Sequence, residues 1–292
     1  MVILKFISIF FITSIIYSNS ESYVKALWIV RDHMVKSELI DNAIGFAERN
    51  DFNHIFAQVR GRGDAFYNSK FVPKSNSVNP NFNPLDYLIN KCKNNGIKVH
   101  AWINVYYLWS SKEHPNQNNH LFFQRPEWLD RRKSDKYILE RRYLNKSNDI
   151  IVDGEGFFLA PTNPNVNDYL INVVSELSND YSIDGIHYDY IRYHSLDYGY
   201  NDSGLFLFSE KNNYNNDYLM NNYNRIFSDY KRNSITEFVK RANNQIKKNS
   251  PNCIISAAVK PNIYDAKLVF FQEWDLWLSA GYVDWAVPMN YL

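Results

Sequence analysis

The segment Asp184-Gly185-Ile186-His187-Tyr188-Asp189 reads as a β-strand that carries a carboxylate and an imidazole two residues apart. Successive side chains of a strand point to opposite faces, so Gly185, His187 and Asp189 share one face and Ile186 and Tyr188 the other. Asp189, near the C-terminal end, could serve as a nucleophile or general base. His187 could hold its geometry or bind a hydroxyl. An isolated Asp–His pair is more often a buried, hydrogen-bonded couple; the neighbouring strands shift the weight, because they repeat the same polarity.

Six strands are expected, at residues 25–31, 54–60, 98–104, 184–193, 253–259 and 283–291. The second places Ile55, Ala57 and Val59 against Phe56, Gln58 and Arg60. The third places Val99, Ala101 and Ile103 against His100, Trp102 and Asn104. The fifth places Ile255, Ala257 and Val259 against Ser256, Ala258 and Lys260. Each apolar set would face helices, and the polar sets would converge in one wet mouth. Buried without partners, such polar groups would cost about 1–3 kcal/mol each.

Helical spacing separates the strands. Ser37 is expected to cap a helix with Leu39, Ile40, Ala43, Ile44 and Ala47 on one face. Pro84 starts a second helix and Asn95-Gly96 ends it. Asn163-Pro164 opens a third, and Ser234-Ile235-Thr236-Glu237 forms a capping box before a fourth. A helix near residues 273–279 is stopped by Gly281. Long connections, residues 105–160 and 193–233, follow the third and fourth strands. Strand–helix alternation argues for parallel strands with helical crossovers. With no Gly-rich phosphate turn after the first strand, and long insertions at strand C-terminal ends, the pattern favours a TIM-type (β/α)8 barrel over a doubly wound sheet.

The chain has 292 residues, 45% hydrophobic and 16% aromatic, with a formal net charge of +1. That is enough to bury a large core. The near-neutral charge gives no electrostatic case for nucleic acid or an anionic membrane. Residues 1–20 carry Lys5, an apolar run and Ser18-Asn19-Ser20, the pattern of a signal peptide with Glu21 as mature start. Stable membrane insertion after cleavage is not expected. Cys92 and Cys253 read as buried free thiols. Asn145 and Asn201 fit the N-glycosylation triplet but carry little weight.

Four segments together resemble the glycosyl hydrolase-like family 10 (DUF187 group) barrels. They are Gln58-Val59-Arg60 with Gly63-Asp64-Ala65-Phe66-Tyr67; His100-Ala101-Trp102-Ile103-Asn104-Val105-Tyr106; the Asp184–Asp189 strand; and Gly281-Tyr282-Val283-Asp284-Trp285-Ala286-Val287-Pro288. The resemblance implies a secreted, periplasmic or cell-envelope (β/α)8 domain acting on a polysaccharide, here residues 21–292. Asp189 also stands where the looser α-amylase pattern places its nucleophile, although His187 replaces that pattern's Arg.

Glycoside cleavage needs two carboxyl groups. Asp189 is one candidate. The second is not obvious: strand five ends on Lys260, Asp64 is the best remaining choice, and Asp32 and Glu155 are weaker. The candidate substrate-binding residues are Arg60, His100, Trp102, Asn104, Tyr106, His187, Arg192 and Asn290, with Tyr107 and Trp109 as further sugar-stacking faces. No cofactor is expected. A metal site at His100, His187 and Asp189 lacks compelling ligand spacing. The alternative is a non-catalytic glycan-binding barrel of the cell envelope. Only six βα units are recognisable, so an incomplete barrel is expected, C-shaped and truncated at the C-terminus, without strands seven and eight.

Overall fold

The computed structural model describes residues 23–134, 155–212 and 225–291. The elements run β1 (Ala26–Ile29), α1 (Ser37–Arg49), β2 (His54–Arg60), α2 (Pro84–Lys93), β3 (Lys98–Asn104), β4 (Tyr107–Trp109), α3 (Leu121–Gln124), β5 (Phe157–Phe158), α4 (Pro164–Asp180), β6 (Gly185–Asp189), α5 (Asp202–Asn212), α6 (Arg225–Asn249), β7 (Ile254–Val259), α7 (Ile263–Leu268), α8 (Trp274–Ser279) and β8 (Trp285–Pro288). The main sheet is parallel, in the order β1-β2-β3-β6-β7-β8, and β4 and β5 form a separate antiparallel pair.

The sheet curls into a half-barrel. Trp285 on β8 comes within 5.4 Å of the His54 ring on β2 and 5.5 Å of the His100 ring on β3, ring centre to ring centre. The outer face is apolar, as alternation predicts. Ile55, Ala57, Val99, Ala101, Ile103, Ile186, Tyr188, Ile255 and Ala257 are buried in one core with residues of the surrounding helices, including Ile40, Leu88, Leu170, Val174, Phe238 and Ala242. Each fully buried aliphatic side chain contributes about 1.5–3 kcal/mol.

The N-terminal end of the sheet is stitched by a repeated device. Asn53, Asp184 and Asp284 each precede a strand, and each side-chain oxygen accepts an amide near the start of the neighbouring strand, at Lys25, Val99 and Ile255, all at 2.8 Å. Asp184 is thus structural, as expected. Beside it, Gly185 leaves room for His100: a Cβ there would lie 2.1 Å from His100 Nδ1 and 2.7 Å from the Ile254 carbonyl. Gly185→Ala is therefore expected to destabilise the fold by about 1–3 kcal/mol, read as a lower thermal midpoint. An unchanged midpoint would contradict this packing.

Some local expectations are corrected. β6 ends at Asp189 rather than residue 193, and residues 193–233 contain α5 and the start of α6. The Ser234–Glu237 capping box lies inside α6, where the Ser234 hydroxyl donates to the Tyr230 carbonyl at 2.8 Å. The N-cap of α1 is Lys36, without a side-chain cap. Asn163 does cap α4, accepting from the Asn165 amide. Asn201 is buried and donates to the Glu127 and Leu129 carbonyls, so it offers no free glycosylation amide. Residues 1–20 and Asn145 lie outside the described residues. Cys92 and Cys253 are free, buried thiols, each pushed up to about 12 by burial. Among the described residues, no helix is long and apolar enough to cross a membrane.

Candidate active site

The concave face of the half-barrel is layered. At its N-terminal end His54 Nδ1 and His100 Nε2 share a 2.8 Å hydrogen bond, and Phe56 stacks on His100 at 4.4 Å. Above them His187 Nδ1 is bonded to Ser256 Oγ at 2.9 Å, against the edges of Phe56 and Trp102. His100 and His187 are both fully enclosed. Burial, aided at His100 by its histidine neighbours and Lys98, lowers both to about 3. These histidines, expected among the substrate contacts, sit as a packed polar floor below the mouth.

That floor makes a pH prediction. Both rings are held neutral in the fold and charge near 6.5 when exposed. Their stabilising contribution is present above about 6.5 and is lost as pH falls toward about 3. The thermal midpoint should drop across that window, and His187→Gln should flatten part of the drop. An identical pH dependence in the variant would contradict the account.

The C-terminal end forms the mouth. Asn104 and Asp189 end β3 and β6 in register, one layer above Trp102 and His187. A polar belt enters from β1. The Arg31 amide donates to Gln58 Oε1 (3.1 Å), Gln58 Nε2 to Asn104 Oδ1 (3.3 Å), and Asn104 Nδ2 to the Gly61 carbonyl (3.0 Å). Asn104 therefore reaches the mouth with its amide engaged, and knits strands together.

Asp189 is half-buried, and its Oδ1 accepts the Tyr190 amide at 2.7 Å. Tyr190 adopts φ +49°, a left-handed conformation costly for a bulky residue. Strain of about 1–3 kcal/mol at such a position persists only where surrounding contacts impose it. Here the Tyr190 ring stacks on Tyr107 at 4.5 Å, and the Arg192 guanidinium lies 5.0 Å over it. Burial raises the Asp189 pKa; the Tyr190 amide, Arg192 and the Trp102 indole oppose the rise, and Glu155 adds to it.

Glu155 is the second carboxylate of the mouth. Both its oxygens accept from Arg192 Nη2, at 3.0 and 2.8 Å, and its amide donates to His194 Nε2 at 3.1 Å. The arginine side chain is 5% exposed and the glutamate 43%. Arg192 is seated between aromatic rings, 5.2 Å from Phe270 and 5.9 Å from Phe158. Lys260, at the end of β7, lies 4.4 Å over Phe270. Burial and Arg192 lower its pKa, against the pull of Glu155 and Asp189.

Other expected residues lie elsewhere. A β-bulge between Gln58 and Arg60 pairs Arg60 with Ile103, on the helix-facing side. Arg60 is fully buried there, donating through Nη1 to the carbonyls of Asn104 and Val105. Tyr106 also points outward; its hydroxyl donates to Asn167 Oδ1 on α4, and its ring meets Phe238 on α6. Asp64 closes a tight turn by accepting the Arg62 amide at 2.9 Å. Asn290 is exposed beyond β8. The structure thus gathers Asp189, Trp102, Asn104 and Arg192 with Glu155, the weaker carboxyl candidate of the sequence, sets Arg60, Tyr106 and His100 outside the mouth, and adds Tyr190 and Lys260. Among the described residues, no group of three or more His, Cys, Asp or Glu could hold a metal ion.

The profile of the glycosyl hydrolase-like 10 family matches residues 23–292. The chain belongs to this family. It is 26% identical over 226 residues to the glycosyl hydrolase DigH of Escherichia coli K12, covering 74% of this chain and 46% of that protein. It is 22% identical over 267 residues to the glycosyl hydrolase YngK of Bacillus subtilis, covering 84% of this chain and 47% of that one. The chain spans about half the length of the curated relatives it matches. In fold it is similar to the PgaB (BpsB) glycoside hydrolase domain from Bordetella bronchiseptica, with a TM-score of 0.64 at 9% identity, over 91% of this chain and 74% of that one.

Proposed function

We propose that this domain hydrolyses glycosidic bonds in a polysaccharide or oligosaccharide, with Asp189 as a catalytic carboxylate and Glu155 as the second carboxyl group. The observation that carries the reading is two differently held carboxyl groups, Asp189 at the end of β6 and Glu155 just before β5, near enough for Glu155 to raise the Asp189 pKa, in a glycosyl hydrolase-like 10 half-barrel. Burial makes Asp189 keep its proton to higher pH, which suits proton transfer at a glycosidic oxygen. Glu155 is ion-paired to Arg192, which suits an ionised group facing positive charge at the anomeric carbon. The half-exposed Trp102 and the Tyr107–Tyr190 stack offer flat faces for sugar rings.

Closure to an eight-stranded (β/α)8 barrel would add two strands between the outer edges of β8 and β1. Secretion or a cell-envelope location is proposed from the apolar N-terminal segment. A non-catalytic glycan-binding domain is the second reading, favoured by one observation: Arg192 already occupies both Glu155 oxygens. Release of new reducing ends from a panel of bacterial and plant polysaccharides supports hydrolysis. Saturable binding without release supports the second reading.

A further inference from the structure

Beneath the mouth, the loop that follows β6 is pinned by one lysine. Lys231 on α6 is 2% exposed. Its ammonium donates to the carbonyls of Tyr198 (2.9 Å) and Leu196 (3.2 Å). It also lies 3.9 Å from the ring centre of Phe271, 5.6 Å from that of Tyr193, and 5.5 Å from those of Tyr200 and Phe227. Gly199 permits this approach: it has φ +106°, and a Cβ there would lie 2.3 Å from Lys231 Cδ. A caged, desolvated ammonium of this kind gains more from carbonyls and ring faces than an exposed one.

Two of the caged rings lead to the site. The Tyr193 hydroxyl donates to the Lys231 carbonyl at 3.4 Å, and its ring meets Phe271 at 5.2 Å. The Tyr193 amide donates to the Phe270 carbonyl at 3.1 Å. Arg192, next in sequence, donates to the Tyr193 carbonyl at 3.2 Å and lies over Phe270. Contacts therefore run without a break from Lys231 through Tyr193 and Phe271 to Arg192 and Phe270, and from Arg192 to Glu155.

We infer that Lys231 is a positioning residue: its ammonium locks the loop after β6 in the geometry in which Arg192 holds Glu155 at the mouth beside Asp189. The inference rests on the reading of Glu155 as the second carboxyl group. The charged groups around Lys231 are Asp130 and Asp197, which favour its protonated form, and Arg232 and Lys133, which oppose it; burial outweighs them and lowers it to about 7. Asp130, raised to about 7 by burial, grips the same loop by accepting the Gly199 amide at 3.1 Å. Lys231 loses its proton as pH rises through about 7, so the lock weakens on the alkaline side.

Two measurements test this. Crystal structures of the unaltered protein at about pH 6 and about pH 8.5, either side of that value, should show the Arg192–Glu155 contact intact in the first and separated in the second. The same contact at both would overturn the inference, and this test needs neither activity nor a variant. In kinetics, Lys231→Met should lower kcat roughly 10–100-fold with KM nearly unchanged. A raised KM with unchanged kcat would overturn it. If the unaltered protein cleaves no glycan, the hydrolase reading fails, and the two structures still decide the role of Lys231.

Discussion

Asp189→Asn is expected to lower kcat/KM roughly 10²–10⁴-fold, the range for losing a positioned proton-transfer group, while leaving the fold as stable or more stable. The two effects share a cause. Burial holds the Asp189 pKa above the ordinary carboxylate range. The folded state therefore binds this proton more tightly than the unfolded chain does. Folding stability falls as pH rises from the ordinary range through the raised value, and the penalty is fully present above it. Asparagine cannot ionise and carries no such penalty, yet still accepts the Tyr190 amide that Asp189 Oδ1 accepts at 2.7 Å. The thermal midpoint near neutral pH should be equal or higher, with the largest gain on the alkaline side. A variant that is inactive because it is unfolded would show the opposite, and turnover equal to the unaltered protein would remove Asp189 from the mechanism.

Glu155→Gln should match that loss of turnover with a stability change of opposite sign. Arg192 is almost fully buried, and both of its carboxylate contacts go to Glu155. Glutamine can meet one of those contacts but supplies no charge. The resulting cost is about 1–2 kcal/mol, moderated because the glutamate end is open to water. kcat should fall roughly 10²–10⁴-fold, and the thermal midpoint should drop. The pair of variants forms a signature: both lose activity, but their midpoints move apart. Glu155→Gln with unaltered turnover would return the second carboxyl role to another residue.

The strand faces were legible where nothing long-range intervened. Alternation placed Trp102, Asn104, His187 and Asp189 on the concave side, because β3 and β6 run unbroken and in register. It failed for Arg60. The sequence His54–Arg60 alternates straight through, but the returning loop bonds Phe66 N to the Val59 carbonyl and bridges Ala65 to Arg60, and the bulge turns Arg60 outward. Such a bulge is set by partners the local pattern does not contain. The histidines share the concave face but lie below the mouth, since periodicity reports a face and not a distance from the mouth. Glu155 lacked a strong local signal: Arg192 and His194, nearly forty residues later, hold it near enough to Asp189 to raise that carboxyl's pKa. The Ser234 capping box failed for a related reason. The core contacts of Phe227 and the Lys231 cage extend α6 backward past the cap.

A structure of the Asp189→Asn protein with a bound oligosaccharide would locate the scissile bond. A glycosidic oxygen is expected within hydrogen-bonding distance of residue 189, with Glu155 on the other side of the same bond and sugar rings against Trp102 or the Tyr107–Tyr190 stack. A glycan bound away from residue 189, or no glycan at the ends of β3 and β6, would contradict it.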